Sequence, residues 1–400
     1  MKIGILVWSM CAGKGGMERA GAELANFFQR NGDSVTMFYN RMSRLKNLPA
    51  YPLHGQIRLC EFMIMRTGEG LKQARSKIIE AEPDVMLVLF SHSDFLVVPG
   101  LLHNTGIPCV YAEHNHPAVI MDERWNRKEH MACASAADAI VLLLDSYKKE
   151  YPAFLHDRIR VIPNSVDKPR GLARVDAPVS GRWRLLGVGR FYDQAKQFSL
   201  LIRAFALLAP SFPDWDLCLC GDGVNRRHYE QLVAGLGLES RIAFTGVVDD
   251  IDSYYAASHL FCIPSLFEGL PLVMIEAMCR GIPVAGFSGC QAVGEVIRHA
   301  ENGMLAQEMT SQSLAETLRP MMQSPELRKK LGEQALADST PYAPKTVFRQ
   351  WRDLVEEVAQ YKGKTRLNID IPQDDEARAA AMLTTILQRD YPFEELPRKM

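Results

Sequence analysis

The feature of this sequence that most constrains its fold is a repeated alternation of short apolar runs with segments of helical periodicity. Within each run the apolar residues are nearly continuous, which is typical of parallel strands covered on both faces. Strands that alternate with helices predict βαβ units and a doubly wound sheet. The strands predicted in the first half are Lys2–Trp8, Ser34–Tyr39, Asp84–Phe90, Pro108–Ala112, Ala139–Leu143 and Arg158–Pro163, with a helix over Met17–Asn31.

The alternation starts again after a stretch with Pro and Gly but no periodicity. We therefore predict two Rossmann-like doubly wound domains of the α/β class, over residues 1–165 and 184–342, with a linker over 166–183. A final helix over 343–362 is expected to pack back toward the first domain. Residues 363–400, with a predicted helix around Asp375–Leu387, have no assigned role. The second domain is predicted to contain strands at Arg184–Val188, Asp216–Cys220, Ile242–Phe244, Leu260–Pro264 and Pro283–Gly286, and helices at Phe198–Leu208, Arg226–Gly235, Leu270–Cys279 and Ser313–Met322.

Composition and charge exclude several classes of protein. The 400 residues carry a net charge of −1, which provides no general attraction to nucleic acid. No segment approaches the roughly 20 apolar residues that a transmembrane helix needs, so any membrane contact is expected to be peripheral. The start of the chain is short for a signal peptide and leads into a glycine loop, which favours a buried strand. The nine cysteines show no metal-ligand spacing and no disulfide framework, which suits a cytoplasmic location.

The most informative motif follows a predicted buried strand and reads Phe-Glu-Gly-Leu-Pro-Leu-Val-Met-Ile-Glu over residues 267–276. Open α/β folds bind ligands at the carboxyl ends of their strands. Pro271 is predicted to be the first helical residue, Gly269 lets the backbone come close, and the unpaired N–H groups of the first turn can bind a diphosphate. Glu268 and Glu276 can accept hydrogen bonds from paired hydroxyls. The alternative is that Glu268 caps a surface helix and Glu276 is solvated, although the neighbours of Glu276 are apolar.

A glycine loop also follows the first strand, where Gly13, Gly15 and Gly16 precede a predicted helix and could hold phosphate. The spacing is not the Gly-x-Gly-x-x-Gly of dinucleotide sites, and the second strand ends in Tyr39-Asn40 without the acid that binds an adenosine ribose. No Gly-Lys-Ser/Thr follows at the distance that a P-loop requires. The loop therefore predicts neither a dinucleotide site nor a P-loop.

Several short motifs, in order along residues 1–360, together resemble the family-4 retaining glycosyltransferases, which have the glycosyltransferase-B fold. The resemblance implies two Rossmann-like domains with a nucleotide-sugar donor site in the cleft between them. The matching segments are Gly15-Gly16-Met17-Glu18-Arg19, Glu113-His114-Asn115, Pro163-Asn164-Ser165-Val166-Asp167, Gly189-Arg190 with Lys196, Gly221-Asp222-Gly223, Thr245-Gly246, and the Glu-x7-Glu pair of Glu268 and Glu276.

The resemblance implies a role for each matching residue. Glu268 would bind the donor sugar and Glu276 the ribose hydroxyls, while Arg190 and Lys196 would stabilise the charge on the departing diphosphate. His114 would lie against the donor sugar; a half-buried His114 and a solvated Lys196 are the alternatives. The catalytic set is then His114, Arg190, Lys196 and Glu268; the nucleotide-sugar site adds Gly15, Gly16, Gly221, Gly269, Leu270, Pro271 and Glu276; and the acceptor contacts are Arg19, Glu113 and His116.

Two positions depart from the family pattern. Gln197 stands where Gly is common, and Gly289-Cys290-Gln291 stands where a Gly-Gly pair is common. The second departure lies near the predicted donor site and leaves the identity of the donor open.

The function implied is transfer of a hexose or N-acetylhexosamine, from a donor expected to be UDP-linked, to a lipid-linked or polysaccharide acceptor in cell-surface glycan biosynthesis. The resemblance implies retention by front-face displacement, with the leaving phosphate helping to deprotonate the acceptor and no metal or other cofactor required. Asp214-Trp215-Asp216 matches an Asp-x-Asp metal pattern but is expected to be a turn before a strand. A sugar-nucleotide epimerase or hydrolase and a non-catalytic nucleotide-sugar-binding subunit remain alternatives.

Basic residues are concentrated at the start of the chain. Residues 1–80 contain 12 Lys and Arg against 6 Asp and Glu, a net +6, whereas the whole chain carries −1. Because the resemblance assigns the acceptor to the first domain, this excess predicts an acceptor that is anionic or embedded in an anionic membrane. The alternative is that the charges are spread around the domain. The basic residues expected to take part are Arg41, Arg44, Lys46, Arg58, Arg66, Lys72 and Arg75.

We expect the protein to co-sediment with vesicles that contain anionic lipid at low salt. Each basic residue near such a surface contributes about 1 kcal/mol, and the attraction extends over a Debye length of about 10 Å at 0.1 M salt, so high salt should release the protein. Vesicles of neutral lipid are the control. If the protein ignores anionic vesicles at low salt and uses a soluble neutral acceptor as well as a lipid-linked one, the membrane prediction is wrong.

Overall fold

The computed structural model of the chain describes residues 1–7, 15–40, 49–62, 69–89, 97–118 and 127–366. It divides into two compact units, with unit 1 formed by Met1–Pro163 and the residues from Val347 onward, and unit 2 by Asn164–Thr346. Each unit contains one parallel sheet flanked by helices. The prediction of two Rossmann-like α/β domains is therefore confirmed.

Unit 1 contains a seven-stranded sheet in the order β3-β2-β1-β4-β5-β6-β7, in which every neighbouring pair is parallel. The order reverses between β1 and β4, which is the arrangement of a doubly wound fold. Its strands are β1 (Lys2–Val7), β2 (Ser34–Asn40), β3 (Arg58–Phe62), β4 (Val85–Leu89), β5 (Cys109–Glu113), β6 (Ala139–Leu142) and β7 (Ile159–Val161). The helices described in its N-terminal part are α1 (Gly16–Arg30), α2 (Glu69–Ala81), α3 (Val97–Leu102) and α4 (Arg127–Ala136), with 3-10 turns at Asp145–Glu150 and Ala153–Arg158.

Unit 2 repeats this plan with six parallel strands in the order β10-β9-β8-β11-β12-β13. Here the order reverses between β8 and β11. The strands are β8 (Trp183–Val188), β9 (Trp215–Cys220), β10 (Ile242–Gly246), β11 (Leu260–Ile263), β12 (Val284–Phe287) and β13 (Gly303–Ala306). The helices are α5 (Asp193–Lys196), α6 (Phe198–Leu208), α7 (Arg226–Gly235), α8 (Ile251–Ala256), α9 (Leu272–Met278), α10 (Gln291–Val296), α11 (Ser311–Gln323) and α12 (Pro325–Asp338), followed by a 3-10 turn at Thr340–Tyr342.

Burial explains why the central strands are continuous apolar runs. Every residue of β4, β5, β6, β11 and β12 is buried, because helices cover both faces of each sheet. The edge strand β3 has an exposed first half and a mixed sequence, which is why periodicity did not predict it. The four-residue strand β13 was also missed. The positions of the remaining predicted strands agree with the structure to within a few residues.

The final helix, α13 (Pro344–Ala359), belongs to unit 1 from Val347 onward. Its apolar face, which includes Trp351 and Val355, joins the hydrophobic core that contains β1 and α1. Phe348 stacks on Phe27 at 4.8 Å between ring centroids, and Arg352 pairs with Asp33. The end of the chain therefore completes the core of the unit in which the chain begins.

The segment predicted to be a linker, 166–183, is instead part of unit 2. The N–H of Val166 donates to the carbonyl of Tyr342, and the N–H of Ala173 donates to the carbonyl of Arg280, both at 2.9 Å. Val175 is buried, and its carbonyl accepts a hydrogen bond from Nε of Arg328 at 2.8 Å. The lack of periodicity reflects irregular backbone that is packed against the unit.

After α13 the chain stays on unit 1 as far as it is described. Lys362 pairs with Asp84, and the N–H of Arg366 donates to the carboxylate of Asp138 at 3.0 Å. The predicted helix around Asp375–Leu387 lies outside the described residues. Among the residues that are described, no helix has the length and apolar character to span a bilayer.

The close approach of α12 to the turn after α9 yields a prediction about stability. A β-carbon at Gly332 would overlap the carbonyl oxygen of Gly281, whereas one at Gly235, the last residue of α7, would meet nothing within 4 Å. Gly332→Ala should lower the free energy of unfolding by about 1–3 kcal/mol because the backbone must shift. Gly235→Ala, a control in another helix, should leave it unchanged or raise it slightly. Urea unfolding of both variants checks this, and equal stability of Gly332→Ala and wild type would contradict the close approach.

Candidate functional site

The candidate site of unit 2 lies where the strand order reverses. Strands β8 and β11 are neighbours and parallel, so their carboxyl ends open on the same edge of the sheet. The loop after β8 continues into α5 and α6, and the loop after β11 leads to α9. The helices that follow adjacent strands on opposite sides of such a reversal leave a crevice between them. Two segments that are about 70 residues apart in sequence therefore meet here.

A lysine and a glutamate face each other across this crevice. Nζ of Lys196, at the end of α5, contacts Oε1 of Glu268 in the loop after β11. The hydroxyl of Ser265 donates to the same carboxylate oxygen at 2.7 Å. The side chains remain partly accessible, at 25 % for Lys196 and 11 % for Glu268. Two residues predicted to bind donor are thus adjacent, with opposite charges that a ligand can reach.

The backbone under Lys196 is fixed by hydrogen bonds to the neighbouring loops. The carboxylate of Asp193 accepts from the N–H of Ser199 at 3.0 Å and from the hydroxyl of Tyr229 at 2.9 Å. The N–H of Asp193 donates to the side chain of Asn225 at 2.9 Å. The N–H of Leu266, in the loop after β11, donates to the carbonyl of Ala195 at 2.8 Å. Together these bonds determine where the lysine emerges.

Gln197, which stands where glycine is common in the family, adopts a left-handed backbone conformation. Its φ is +48° and its ψ is +38°, so it stands in a region that glycine enters at less cost. Its N–H donates to the carbonyl of Asp193, and its carbonyl accepts from the N–H of Leu200. Gln197 joins α5 to α6, and it adopts this conformation without the usual glycine.

Arg190 is exposed at the carboxyl end of β8, directly after Gly189. Gly221, after β9, has a φ of +143°, and a β-carbon on it would overlap the carbonyl oxygen of Gly189. The N–H of Gly189 in turn donates to the carbonyl of Cys220 at 3.0 Å. Gly221 is therefore required by close packing of the two loops, and it sets the position from which Arg190 extends.

Helix α9 begins one residue later than predicted. Pro271 is its N-cap, with extended backbone, and Leu272 is the first helical residue. The prediction that Pro271 occupies the first helical position is wrong, because its ψ of 105° lies outside the helical region. Pro271 and Leu270 are buried, so they support the loop, whereas Gly269 is partly accessible.

Glu276 lies in the second turn of α9 with its side chain partly accessible. One of its carboxylate oxygens, Oε2, accepts a hydrogen bond from the hydroxyl of Tyr255 at 2.8 Å. This site is also supported by Tyr255, Ser265 and Asp193, which no sequence motif indicated. A motif consists of residues close in sequence, whereas Tyr255 lies 21 positions before the glutamate that it contacts.

In unit 1, the segment 113–116 at the end of β5 contains one residue, Glu113, whose predicted role the structure contradicts. Glu113 was expected to contact acceptor, but its carboxyl is buried inside the unit. It accepts from the hydroxyl of Tyr111 at 3.0 Å and from the N–H of Asn115 at 2.9 Å, and lies 3.9 Å from Nε2 of His130. Glu113 is the last residue of β5, in which every residue is buried, so its carboxyl holds the turn rather than contacting ligand. His114 follows it and is partly accessible as a residue, but both of its ring nitrogens are buried.

The other predicted residues of unit 1 lie near their strand ends. His116 is partly accessible, and its ring lies 4.9 Å from that of Tyr147. Gly15 is the N-cap of α1 and Gly16 is its first residue. Arg19, expected to contact acceptor, pairs with Glu23 one turn later in α1 at 2.6 Å. The pair reduces the charge that Arg19 offers to an acceptor.

The basic residues predicted to meet a membrane divide into three groups. Arg58 and Lys72 are exposed on unit 1. Arg75 is partly buried and donates to the carbonyl of Leu101 at 2.9 Å, so it supports the end of α3 rather than forming part of an exposed patch. The remaining residues, Arg41, Arg44, Lys46 and Arg66, lie outside the described part of the chain.

The Asp-x-Asp pattern has a structural role at Asp216. Its carboxylate contacts Arg182 and lies 3.1 Å from Nε of Arg241. Partial burial raises the pKa of Asp216, but the hydrogen bonds from the two arginines outweigh it and hold the pKa below its ordinary value. Trp215 is the first residue of β9, so Trp215 and Asp216 lie in the strand and only Asp214 precedes it. Among the described residues no group of three His, Cys, Asp or Glu side chains is arranged to hold a metal.

Two family models match the chain in succession. Residues 14–170 match the model "Glycosyltransferase Family 4", and residues 173–338 match the model "Glycosyl transferases group 1". The first match covers most of the unit 1 sheet, and the second covers most of unit 2.

Two related proteins align with nearly the whole chain at low sequence identity. An uncharacterized glycosyltransferase of Haemophilus influenzae is 25% identical over 365 residues, which cover 88% of this chain and 99% of the relative. A Campylobacter jejuni α-1,4-N-acetyl-D-galactosaminyltransferase, whose name specifies an undecaprenol diphosphate-linked glycan as its acceptor, is 23% identical over 90% of this chain and 99% of its own length.

Solved structures show the same fold. Anabaena HepE in complex with UDP and glucose has a TM-score of 0.72 at 20% identity, with 89% of this chain and 99% of that chain covered. WaaG, a glycosyltransferase involved in lipopolysaccharide biosynthesis, has a TM-score of 0.67 at 18% identity, with 88% and 99% covered. At these identities the likeness establishes the architecture.

The buried carboxyl of Glu113 yields a prediction about pH. Burial raises the pKa of Glu113 to about 8, against the opposing hydrogen bonds from Asn115, Tyr111 and His114. Between its ordinary pKa of about 4.3 and this value, the unfolded chain has lost a proton that the folded protein keeps. The contribution of Glu113 to stability therefore falls as pH rises through this range, by at most about 1.4 kcal/mol per pH unit, and is constant above it.

Glu113→Gln keeps a carbonyl acceptor for the turn but does not titrate. The free energy of unfolding of this variant relative to wild type should therefore increase from pH 5 to pH 8, by at least about 2 kcal/mol. Urea unfolding at several pH values measures the difference. Glu80→Gln, at an exposed position of the same unit, is the control and should show a constant difference. A difference for Glu113→Gln that does not change with pH would show that the carboxyl is ionised in the folded protein.

Proposed function

We propose, from the premise that the chain belongs to the family-4 glycosyltransferases of the glycosyltransferase-B fold, that it is a retaining enzyme of cell-surface glycan biosynthesis. It takes a hexose or N-acetylhexosamine from a UDP-linked donor and transfers it to a lipid-linked or polysaccharide acceptor. That the chain is a glycosyltransferase follows from its family; the sugar, the base, the acceptor and the stereochemistry are the proposal.

The observation that carries the proposal is the contact between Lys196 and Glu268 at the strand-order reversal of unit 2. Neither side chain is fully buried, so a ligand can separate them. A donor sugar diphosphate carries both matching partners, because its phosphates attract a lysine and its sugar hydroxyls donate to a carboxylate. The ion pair holds both side chains in position until the donor arrives.

Arg190 and Lys196 would stabilise the departing nucleoside diphosphate. In the reaction the bond between the sugar C1 and the phosphate oxygen breaks, and a bond from C1 to the acceptor oxygen forms on the same face. The acceptor proton passes to the departing phosphate oxygen, so no protein carboxylate needs to attack. The contribution of the protein is then positioning and stabilisation of negative charge. Glu268, held by Lys196 and Ser265, would orient the sugar.

Glu276 would bind the ribose hydroxyls of the donor from the second turn of α9. A UDP-linked donor is supported by the likeness to HepE, whose structures contain UDP, UDP with glucose, and UDP-glucose. That likeness is one of fold, so the base is a proposal for this chain. The turn at Gly289-Cys290-Gln291, which departs from the family pattern, bears on the choice of sugar.

Unit 1 would bind the acceptor, with His114 and His116 at the carboxyl end of β5 and next to it. A lipid-linked acceptor is supported by the name of the Campylobacter relative. The exposed Arg58 and Lys72 would favour a peripheral position at the cytoplasmic face of an anionic membrane.

Replacing Lys196 tests the donor site directly. Lys196→Ala should lower kcat/KM by about 10²–10³-fold, because a cation next to the leaving group is lost. Lys196→Arg should retain part of the activity, since the charge remains. Lys168→Ala, at an exposed position of the same unit, is the control and should match wild type. Steady-state rates with UDP-sugars check this, and a Lys196→Ala enzyme within twofold of wild type would rule out its role.

We also expect full activity in excess EDTA. The proposal assigns charge stabilisation to Arg190 and Lys196, so added divalent cations are not needed. The measurement compares initial rates with EDTA, with Mg²⁺ and with Mn²⁺. Loss of turnover in EDTA that either cation restores would contradict the scheme and would require the acidic residues of unit 2 to be examined as ligands.

A further inference from the structure

The hydroxyl of Tyr255 holds the carboxylate of Glu276 in place. Tyr255 is the fifth residue of α8 and is fully buried. Its hydroxyl lies 2.8 Å from Oε2 of Glu276 and 3.1 Å from the carbonyl oxygen of Val273, one turn earlier in α9. The single phenol therefore contacts both the backbone and the functional side chain of the helix.

An arginine fixes the tyrosine in turn. The guanidinium of Arg280 lies 4.6 Å from the centroid of the Tyr255 ring. It donates to the carbonyl of Glu276 at 2.6 Å and contacts the carboxylate of Asp252 on α8. Its side chain is 7% exposed, and Arg170 lies on the outer side of Asp252 at 3.3 Å. Because Arg280 is buried and contacts both Asp252 of α8 and the carbonyl of Glu276 in α9, it connects the two helices next to Glu276.

We propose that Tyr255 is a positioning residue for Glu276 and sets how well the site binds the ribose of the donor; this rests on the proposed function. A carboxylate binds a pair of neighbouring hydroxyls only in a limited range of orientations. A hydrogen bond on Oε2 restricts the rotation of the Glu276 side chain before donor arrives, so less ordering is needed on binding. Tyr255 acts without contact with the donor, through Glu276 alone.

The test compares nucleotides that differ only in the ribose hydroxyls. Calorimetry gives the dissociation constants of UDP, GDP and ADP, each beside its 2′,3′-dideoxy counterpart, for the full-length protein. The ribose preference is the ratio of the dideoxy constant to the ribo constant for the base that binds. Four proteins are compared: wild type, Glu276→Ala, Tyr255→Phe, and Tyr254→Phe, which removes the same atom from the neighbouring residue of α8.

We expect Glu276→Ala to reduce the ribose preference to nearly one, and Tyr255→Phe to reduce it by about three- to tenfold through weaker ribo-nucleotide binding alone. Tyr254→Phe should keep the wild-type preference. A general structural role for Tyr255 would weaken ribo- and dideoxy-nucleotides equally and leave the preference unchanged, which overturns the inference.

The donor site and the role of Tyr255 can fail separately. If Glu276→Ala keeps the wild-type preference, or if none of the three diphosphates binds, the proposed donor site is wrong and the inference is lost with it. If Glu276→Ala abolishes the preference while Tyr255→Phe retains it in full, the donor site stands and the role of Tyr255 is wrong.

Discussion

The side-by-side placement of β8 and β11 is the constraint on which the candidate site depends. Because both strands are parallel and the strand order reverses between them, their following loops diverge and leave the sheet edge uncovered. Lys196 arrives from one loop and Glu268 from the other. Two other residues of unit 2 stabilise this contact. Asp193 fixes the backbone near Lys196 through its hydrogen bonds, and Ser265 donates to the carboxylate of Glu268.

An ion pair that is only partly buried suits such a site. A fully buried pair would need its desolvation cost repaid by fixed geometry, and a ligand could not reach it. A fully exposed pair would contribute little and would hold neither side chain in place. Lys196 and Glu268 lie between these limits, so the pair holds both side chains in place while a ligand can still reach them. The hydrogen bonds of Asp193, under Lys196, and of the buried Ser265, on Glu268, supply the rigidity that the pair itself lacks.

Residues next to each other in sequence can have different roles, as the end of β5 shows. Glu113 and His114 both belong to a motif that resembles the family, yet Glu113 is fully buried with its carboxyl bonded to the turn, whereas His114 as a residue is partly accessible. A motif identifies the segment that takes part in function, whereas the contacts of each side chain decide which member of it can touch a ligand.

The sequence by itself determined the doubly wound fold of both units, because buried parallel strands must be continuous apolar runs and this pattern depends only on local order. It also indicated Glu268, which follows a buried strand, and the family resemblance added Lys196; the structure brings the two side chains into contact. It could not determine that Pro271 is a cap, that residues 166–183 pack into unit 2, or that Tyr255 supports Glu276. Those facts depend on contacts between segments far apart in the chain, which only the tertiary structure brings together.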